Sequence, residues 1–198
     1  LAKANKLKRL WLAPFTMQRH ILDAIRRELK HAKDGKPAHI IAKMNALVEE
    51  AVIKALYAAS QAGVEIDLIV RGACSLRPGV PGVSDRIRVR SIVGRFLEHH
   101  RVWYFENDGK QDVYLASADW MGRNLFRRIE VAFPVLDPEL KTRVIAEGLK
   151  PYLADTRDAW ELGQDGSYQR IKPRGRSQPI SAQHELIKTL SENKGAQR

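Results

Sequence analysis

The chain has 198 residues, 44% of them hydrophobic, enough for one buried core with at most a small appendage. No apolar run approaches the roughly 18 residues of a membrane span, no secretory apolar region opens the chain, and the single cysteine excludes an internal disulfide or a paired-cysteine zinc site. The net charge of +11 points to polyanionic partners (nucleic acid, polyphosphate, nucleotide or an acidic membrane surface) without choosing among them.

In chain order, the opening LAKANKLKRLWLAPF begins at Leu1 and reads as the approach to a buried strand in an excised piece of a longer protein. Residues 16–34 predict a helix with Thr16 as N-cap, an apolar stripe of Ile21, Leu22, Ile25 and Leu29, and a stop at Asp34-Gly35-Lys36-Pro37. A buried strand follows over 38–44. Asn45 is the expected cap of a second helix, which Gly63 ends. Residues 64–70 (VEIDLIV) are nearly all apolar, as a central strand covered on both faces would be. After a Gly/Pro-rich loop from Arg71 to Asp85 come expected strands near 87–93, 101–106, 112–117 and 128–134, the middle pair joined by a turn at Asn107-Asp108-Gly109-Lys110. Asp137-Pro138 starts a helix expected to run to about Leu153; Asp165 to Gln178 reads as a polar basic tail, and a last helix begins near Ser181. The order implies an α/β fold, a mixed β-sheet flanked by helices. Residues 1–198 are read as one domain with a looser basic tail and terminal helix from about 164.

The chemistry concentrates between His99 and Glu130. His99, Arg101 and Glu106 form His-x-Arg-x4-Glu, and Ala116-Ser117-Ala118-Asp119 follows, with Arg123 and Glu130 beyond. A lone histidine at a strand start is more often structural than catalytic. The company of Arg71, Arg95 and Arg101 favours phosphoryl chemistry, in which one group moves a proton while guanidiniums neutralise phosphate charge. His100 is expected to point away as a bystander, and His31-Ala32-Lys33 is a decoy at a helix end. Arg71 and Arg77 bracket a loop at the carboxyl end of a strand, a reasonable phosphate clamp, although solvated arginines on a shaped loop fit equally well. Arg128, two residues before Glu130, suits a polyanionic substrate, with ion pairs to Asp119 and Glu130 as the bland alternative. Trp103, Tyr104, Trp120 and Phe126 are expected in the core, and Cys74 is expected to pack rather than react.

The His-x-Arg-x4-Glu and Ser-x-Asp segments resemble the phospholipase D-like pattern His-x-Lys-x4-Asp followed by Gly-Ser-x-Asn. The longer phrases KMNALV (43–48), LIVRGACSLRPGVPGVSD (68–85), IRVRSIVGRFLEHHRVWYFEN (87–107), VYLASADWMGRN (113–124) and RRIEVAFPVLDP (127–138) resemble the C-terminal part of bacterial polyphosphate kinases. The resemblance implies a phospholipase D-like fold, the second of two such C-terminal domains, with the phosphorylated histidine upstream and the isolated fragment inactive. It implies that His99 stands opposite that histidine and acts as acid/base or stabilises the transfer at the phosphate, and that Arg71 binds nucleotide phosphate. Arg128 would contact substrate phosphates, and Lys43 and Asn45 would belong to a strand-end phosphate-binding segment. It further implies ATP, ADP and inorganic polyphosphate as partners, with the preceding domains of the same polypeptide and further copies of it, in the cytoplasm with peripheral membrane association left open. Mg2+ would be held by the phosphates and by groups outside this chain, with no metal ligand here. The alternative is a basic polyanion- or nucleic-acid-binding module, or half of a phospholipase D-like nuclease. No specific nucleic acid is expected, because no helix-turn-helix, RRM or zinc pattern is present.

Overall fold

The structure, a computed structural model, describes Leu7, residues 9–173 and 175–195. Its strands are β1 (Trp11–Ala13), β2 (His39–Met44), β3 (Glu65–Val70), β4 (Ile87–Ile92), β5 (Arg101–Phe105), β6 (Asp112–Ala116), β7 (Glu130–Pro134), β8 (Ala159–Leu162) and β9 (Tyr168–Arg170). The helices are α1 (Met17–Lys33), α2 (Glu50–Gln61), α3 (Gly122–Phe126), α4 (Pro138–Gly148), α5 (Lys150–Ala154) and α6 (Ala182–Gly195). The nine strands form one sheet in the order β1-β7-β6-β5-β2-β3-β4-β8-β9. β2, β3 and β4 run parallel at its centre, and every other pairing is antiparallel.

Side chains alternate between two core layers, as the pleat requires. On β2, Ile40, Ala42 and Met44 face the layer under α1 and α2, whereas Ile41 joins the layer under α4, α5 and α6; on β5, Trp103 and Phe105 take the first layer and Val102 and Tyr104 the second. That double covering explains the near-continuous apolar runs of β2 and β3. Among the described residues no helix is long and apolar enough to cross a membrane.

Several local expectations change. Thr16 precedes α1 but does not cap it; its hydroxyl accepts from the Leu12 N–H at 3.1 Å, tying the helix entry to β1. Asn45 does not cap α2 either. Glu49 does, accepting from the Val52 N–H at 2.7 Å. Residues 46–49 run between neighbours first, with Leu47 bonded to Ala73 and both Val48 and Glu49 bonded to Trp120. The single helix expected over 138–153 is two helices broken at Leu149, because Pro151 lacks an N–H and restricts the residue before it. Asp137 caps α4 as expected, accepting from Leu140 N–H at 2.8 Å. The basic tail contains β9, and β8 precedes it; neither was expected. Phe126 is 48% exposed rather than in the core, whereas Trp103 and Trp120 are fully buried.

Candidate functional site

The topology brings the carboxyl ends of β2, β3, β4 and β6 and the amino ends of β5 and β7 to one end of the sheet. Arg71, Asn45, His99, Arg101, Asp119, Arg128 and Glu130 all lie at this end, the usual place for a ligand in an α/β sheet. The Arg71 loop continues the ladder past the strands, with Arg71 N–H on Met44 O at 3.2 Å and Gly72 N–H on Asn45 O at 2.8 Å. A Cβ at residue 72 would lie 3.0 Å from that carbonyl oxygen, so glycine permits the approach.

At the centre is a knot of paired charges. Arg101 forks onto Asp119, Nε to Oδ1 and Nη2 to Oδ2, each at 3.1 Å. Asp119 also accepts from the Asn45 backbone N–H at 2.7 Å and, at 3.4 Å, from its side-chain amide. The ends of β2, β5 and β6 are thereby cross-linked by a bidentate, largely buried ion pair.

His99 is exposed and lies two residues ahead of β5, which begins at Arg101 as expected. Arg101 still reaches it. Its Nη1 donates to the His99 carbonyl at 2.8 Å and lies 3.0 Å from ring Nδ1 and 3.4 Å from Nε2. A guanidinium can only donate, so the ring nitrogen facing it serves as acceptor. Arg95, expected beside His99, stacks on Phe96 instead, 5.5 Å from the ring centre.

Arg128 has a 58% exposed side chain and only a loose 3.8 Å contact with Glu130. Glu130 is taken up by the Ser117 hydroxyl and by Asn124 Nδ2 at 2.7 Å. The guanidinium of Arg71 has no hydrogen-bond or ion-pair partner among the described residues. It lines two adjoining clefts of about 370 and about 360 Å³, the first with Ser91, Val93, Trp160 and Tyr168, the second with the segment from Ile92 to Glu98. A larger cleft of about 510 Å³ lies at the β8–β9 edge between Arg157, Arg170 and Lys172 and holds no residue singled out from the sequence, so volume alone does not mark the site.

Lys43 is placed differently from the other candidates. Its side chain is 2% exposed, paired with Glu98 at 2.9 Å and 4.5 Å from the Tyr152 ring centre, on the second core layer. Burial pulls its ammonium below the usual range, and the Glu98 carboxylate opposes that shift. Burial alone would raise Glu98, but the Gln183 amide and Lys43 override it and hold the carboxyl low. His100 does point away from Arg101, yet it is no bystander. It contacts the Gly148 carbonyl at 3.1 Å and Lys43 at 3.5 Å, and burial followed by the Lys43 charge lowers its pKa. Glu98, Tyr152 and Gln183 gave no signal in the sequence, since each acts through partners far along the chain. Among the described residues no three His, Cys, Asp or Glu side chains cluster as metal ligands.

This fold is that of the phospholipase D-like α/β proteins. A phospholipase D family member, Nuc from Salmonella typhimurium, superposes with a TM-score of 0.51 over 70% of this chain and 88% of that one, at 16% identity, a likeness of fold alone. The family described as polyphosphate kinase C-terminal domain 2 matches residues 10–183. The polyphosphate kinase of Burkholderia lata is 63% identical over 164 residues, covering 83% of this chain and 24% of the relative; that of Xylella fastidiosa is 55% identical over 190 residues, covering 96% and 27%. The crystal structure of the Porphyromonas gingivalis polyphosphate kinase matches with a TM-score of 0.90 at 41% identity, over 96% of this chain and 29% of that one. The chain belongs to the polyphosphate kinase C-terminal domain 2 family, and it spans about a quarter of the length of the curated relatives it matches.

Proposed function

We propose that this domain forms one wall of a phosphoryl-transfer site that moves the terminal phosphate of ATP reversibly onto inorganic polyphosphate, through a phosphohistidine in a preceding domain of the same polypeptide. The observation that carries this reading is the contrast within the site. Among the described residues, Arg71 and Arg128 present guanidiniums without a close partner, and His99 an exposed imidazole steadied by Arg101, around a knot whose own charges are already paired. As the bond between the terminal phosphorus and the ADP oxygen breaks and a bond to the upstream imidazole forms, the guanidiniums of Arg71 and Arg128 offset charge on the phosphate oxygens. His99 moves the proton that accompanies transfer, held in place by Arg101. Lys43 and Asn45 support this wall from within: their side chains are committed to Glu98 and Asp119.

Among the described residues at this end of the sheet, magnesium finds no ready ligand pair: Asp119 is consumed by Arg101 and Asn45, and Glu130 by Ser117 and Asn124. A cytoplasmic location and assembly with the preceding domains and with further copies belong to the same reading.

The test is His99→Ala in the full-length enzyme. Turnover is expected to fall by about 10²–10⁴-fold while nucleotide affinity changes little. An equal loss in turnover and affinity would remove His99 from the transfer step.

A further inference from the structure

His99 is the penultimate residue of an eight-residue segment, 93–100, that joins β4 to β5 without regular structure. Much of this segment is open to solvent: Val93 is 64% exposed, Phe96 50% and Leu97 72%. Such a segment does not fix an imidazole unless something holds it. Arg101 holds the His99 end. Gln183, in the first turn of α6 and 5% exposed, holds the rest.

Its amide is almost fully used. Oε1 accepts from the Phe96 N–H at 2.9 Å, while Nε2 donates to the Phe96 carbonyl at 2.9 Å and to Glu98 Oε1 at 2.7 Å. One side chain thus pairs with the backbone of Phe96 as a neighbouring strand would. Glu98 passes the hold on through Oε2 to Lys43 at the end of β2. Gly94 is part of the arrangement, because a Cβ there would lie 2.6 Å from Gln183 Oε1. The turn that carries Gln183 is itself anchored. The Ala182 N–H donates to the buried Asp155 at 2.7 Å, and the Ser181 hydroxyl donates to Asp158 at 2.6 Å. From His184 to Glu192 α6 is largely exposed, so this helix contributes little core mass, and its first turn makes its best-defined contacts.

We propose that Gln183 is a positioning residue for His99: its amide and the Glu98–Lys43 pair clamp the 93–100 segment, so that the C-terminal helix sets the geometry of the acid/base group. This rests on the reading of His99 given above. The chemistry requires an amide. A glutamate could not donate to the Phe96 carbonyl and would face Glu98, and an apolar side chain would leave both Phe96 groups and one Glu98 oxygen without this partner.

The test compares two variants of the full-length enzyme. Gln183→Met keeps the side-chain length and removes every bond; Leu186→Ala loosens the same helix, where Leu186 packs on the second core layer, without touching the amide. For Gln183→Met we expect turnover to fall roughly ten- to a hundredfold with nucleotide KM nearly unchanged, because a misplaced catalytic group costs rate before binding. Backbone amide exchange over 94–100 should accelerate in parallel. Leu186→Ala should leave both as they are, even where the two variants lose equal thermal stability. Parallel behaviour of the two variants, or unchanged exchange in Gln183→Met, would overturn the clamp. If His99→Ala itself leaves turnover intact, the acid/base reading fails instead, and the exchange data separate that outcome from failure of the clamp.

Discussion

Arg101 and Arg128 stand at the same end of the sheet, two strands apart, and carry the same charge, yet their surroundings differ in kind. The side chain of Arg101 is 12% exposed and forks onto a carboxylate that Asn45 also holds. That of Arg128 is 58% exposed and only brushes Glu130, whose oxygens other groups have taken. Arg71 resembles Arg128 in this respect, facing clefts rather than a partner. A buried, satisfied guanidinium fixes the shape of a site, while an open one remains available to a ligand's phosphates. Electrostatics at this end of the sheet is therefore divided between groups that hold strand ends together and groups without a close partner of opposite charge among the described residues.

The comparison breaks most visibly in stability. Arg101→Met leaves Asp119 buried without its partner and is expected to cost about 3–5 kcal/mol in urea unfolding of this chain. Removing both partners, as Arg101→Met with Asp119→Leu, should recover much of that loss. A cost below about 1 kcal/mol for the single change would show that the knot does not organise the site. Arg71→Ala should leave unfolding nearly unchanged but weaken nucleotide binding by roughly ten- to a hundredfold, the value of one charge-assisted contact of about 1.5–3 kcal/mol. Unchanged binding would take Arg71 out of the site.

A second committed cluster sharpens the contrast at the opposite end of the sheet. Asp67 is 7% exposed and bonded to His39 at 2.9 Å and to Arg88 at 2.9 Å. Burial alone would raise its carboxyl, but those hydrogen bonds override it and hold the pKa at about 2, against an ordinary value of 3.8. Because the folded value is the lower one, this stabilisation of ~2 kcal/mol is fully present above about pH 4 and is lost as pH falls towards 2. Asp67→Asn should flatten the stability profile across that window, and an unchanged profile would count against the pairing. The smallest expected effect on stability belongs to Arg128→Ala, within about 0.5 kcal/mol of wild type, with the loss read in polyphosphate binding and turnover instead.

The sequence disclosed those parts whose causes are local. The double-faced apolar runs marked β2 and β3, the Asn107–Lys110 turn joined β5 to β6, and Asp137-Pro138 opened α4. β8 and β9 were illegible because they pair through backbone bonds towards one edge of the sheet, with only Ala159 and Leu162 of β8 buried and all of β9 exposed, too short an apolar pattern to mark a strand. Asn45 and Thr16 misled for different reasons: α2 begins only at Glu50, so Asn45 lies short of it with its backbone N–H held by Asp119, while the Thr16 hydroxyl accepts from the Leu12 N–H. Alternation correctly turned His100 away from Arg101, but its Gly148 contact lies 48 positions along the chain. The candidate histidine and arginines stood out in the sequence by their spacing. The pair of Glu98 and Gln183, which ties the segment before β5 to α6, did not, since the two meet across 85 positions.

The most direct measurement is competition binding on this chain at fixed salt, because any polyanion binds a basic surface more weakly as salt rises. Labelled polyphosphate is bound and then displaced with ATP, ADP or a charge-matched DNA oligonucleotide. Displacement by nucleotide that Arg71→Ala abolishes is the predicted result. Displacement by DNA as effective as by polyphosphate, with no response to nucleotide, would contradict the account and leave a basic surface without a phosphate site of its own.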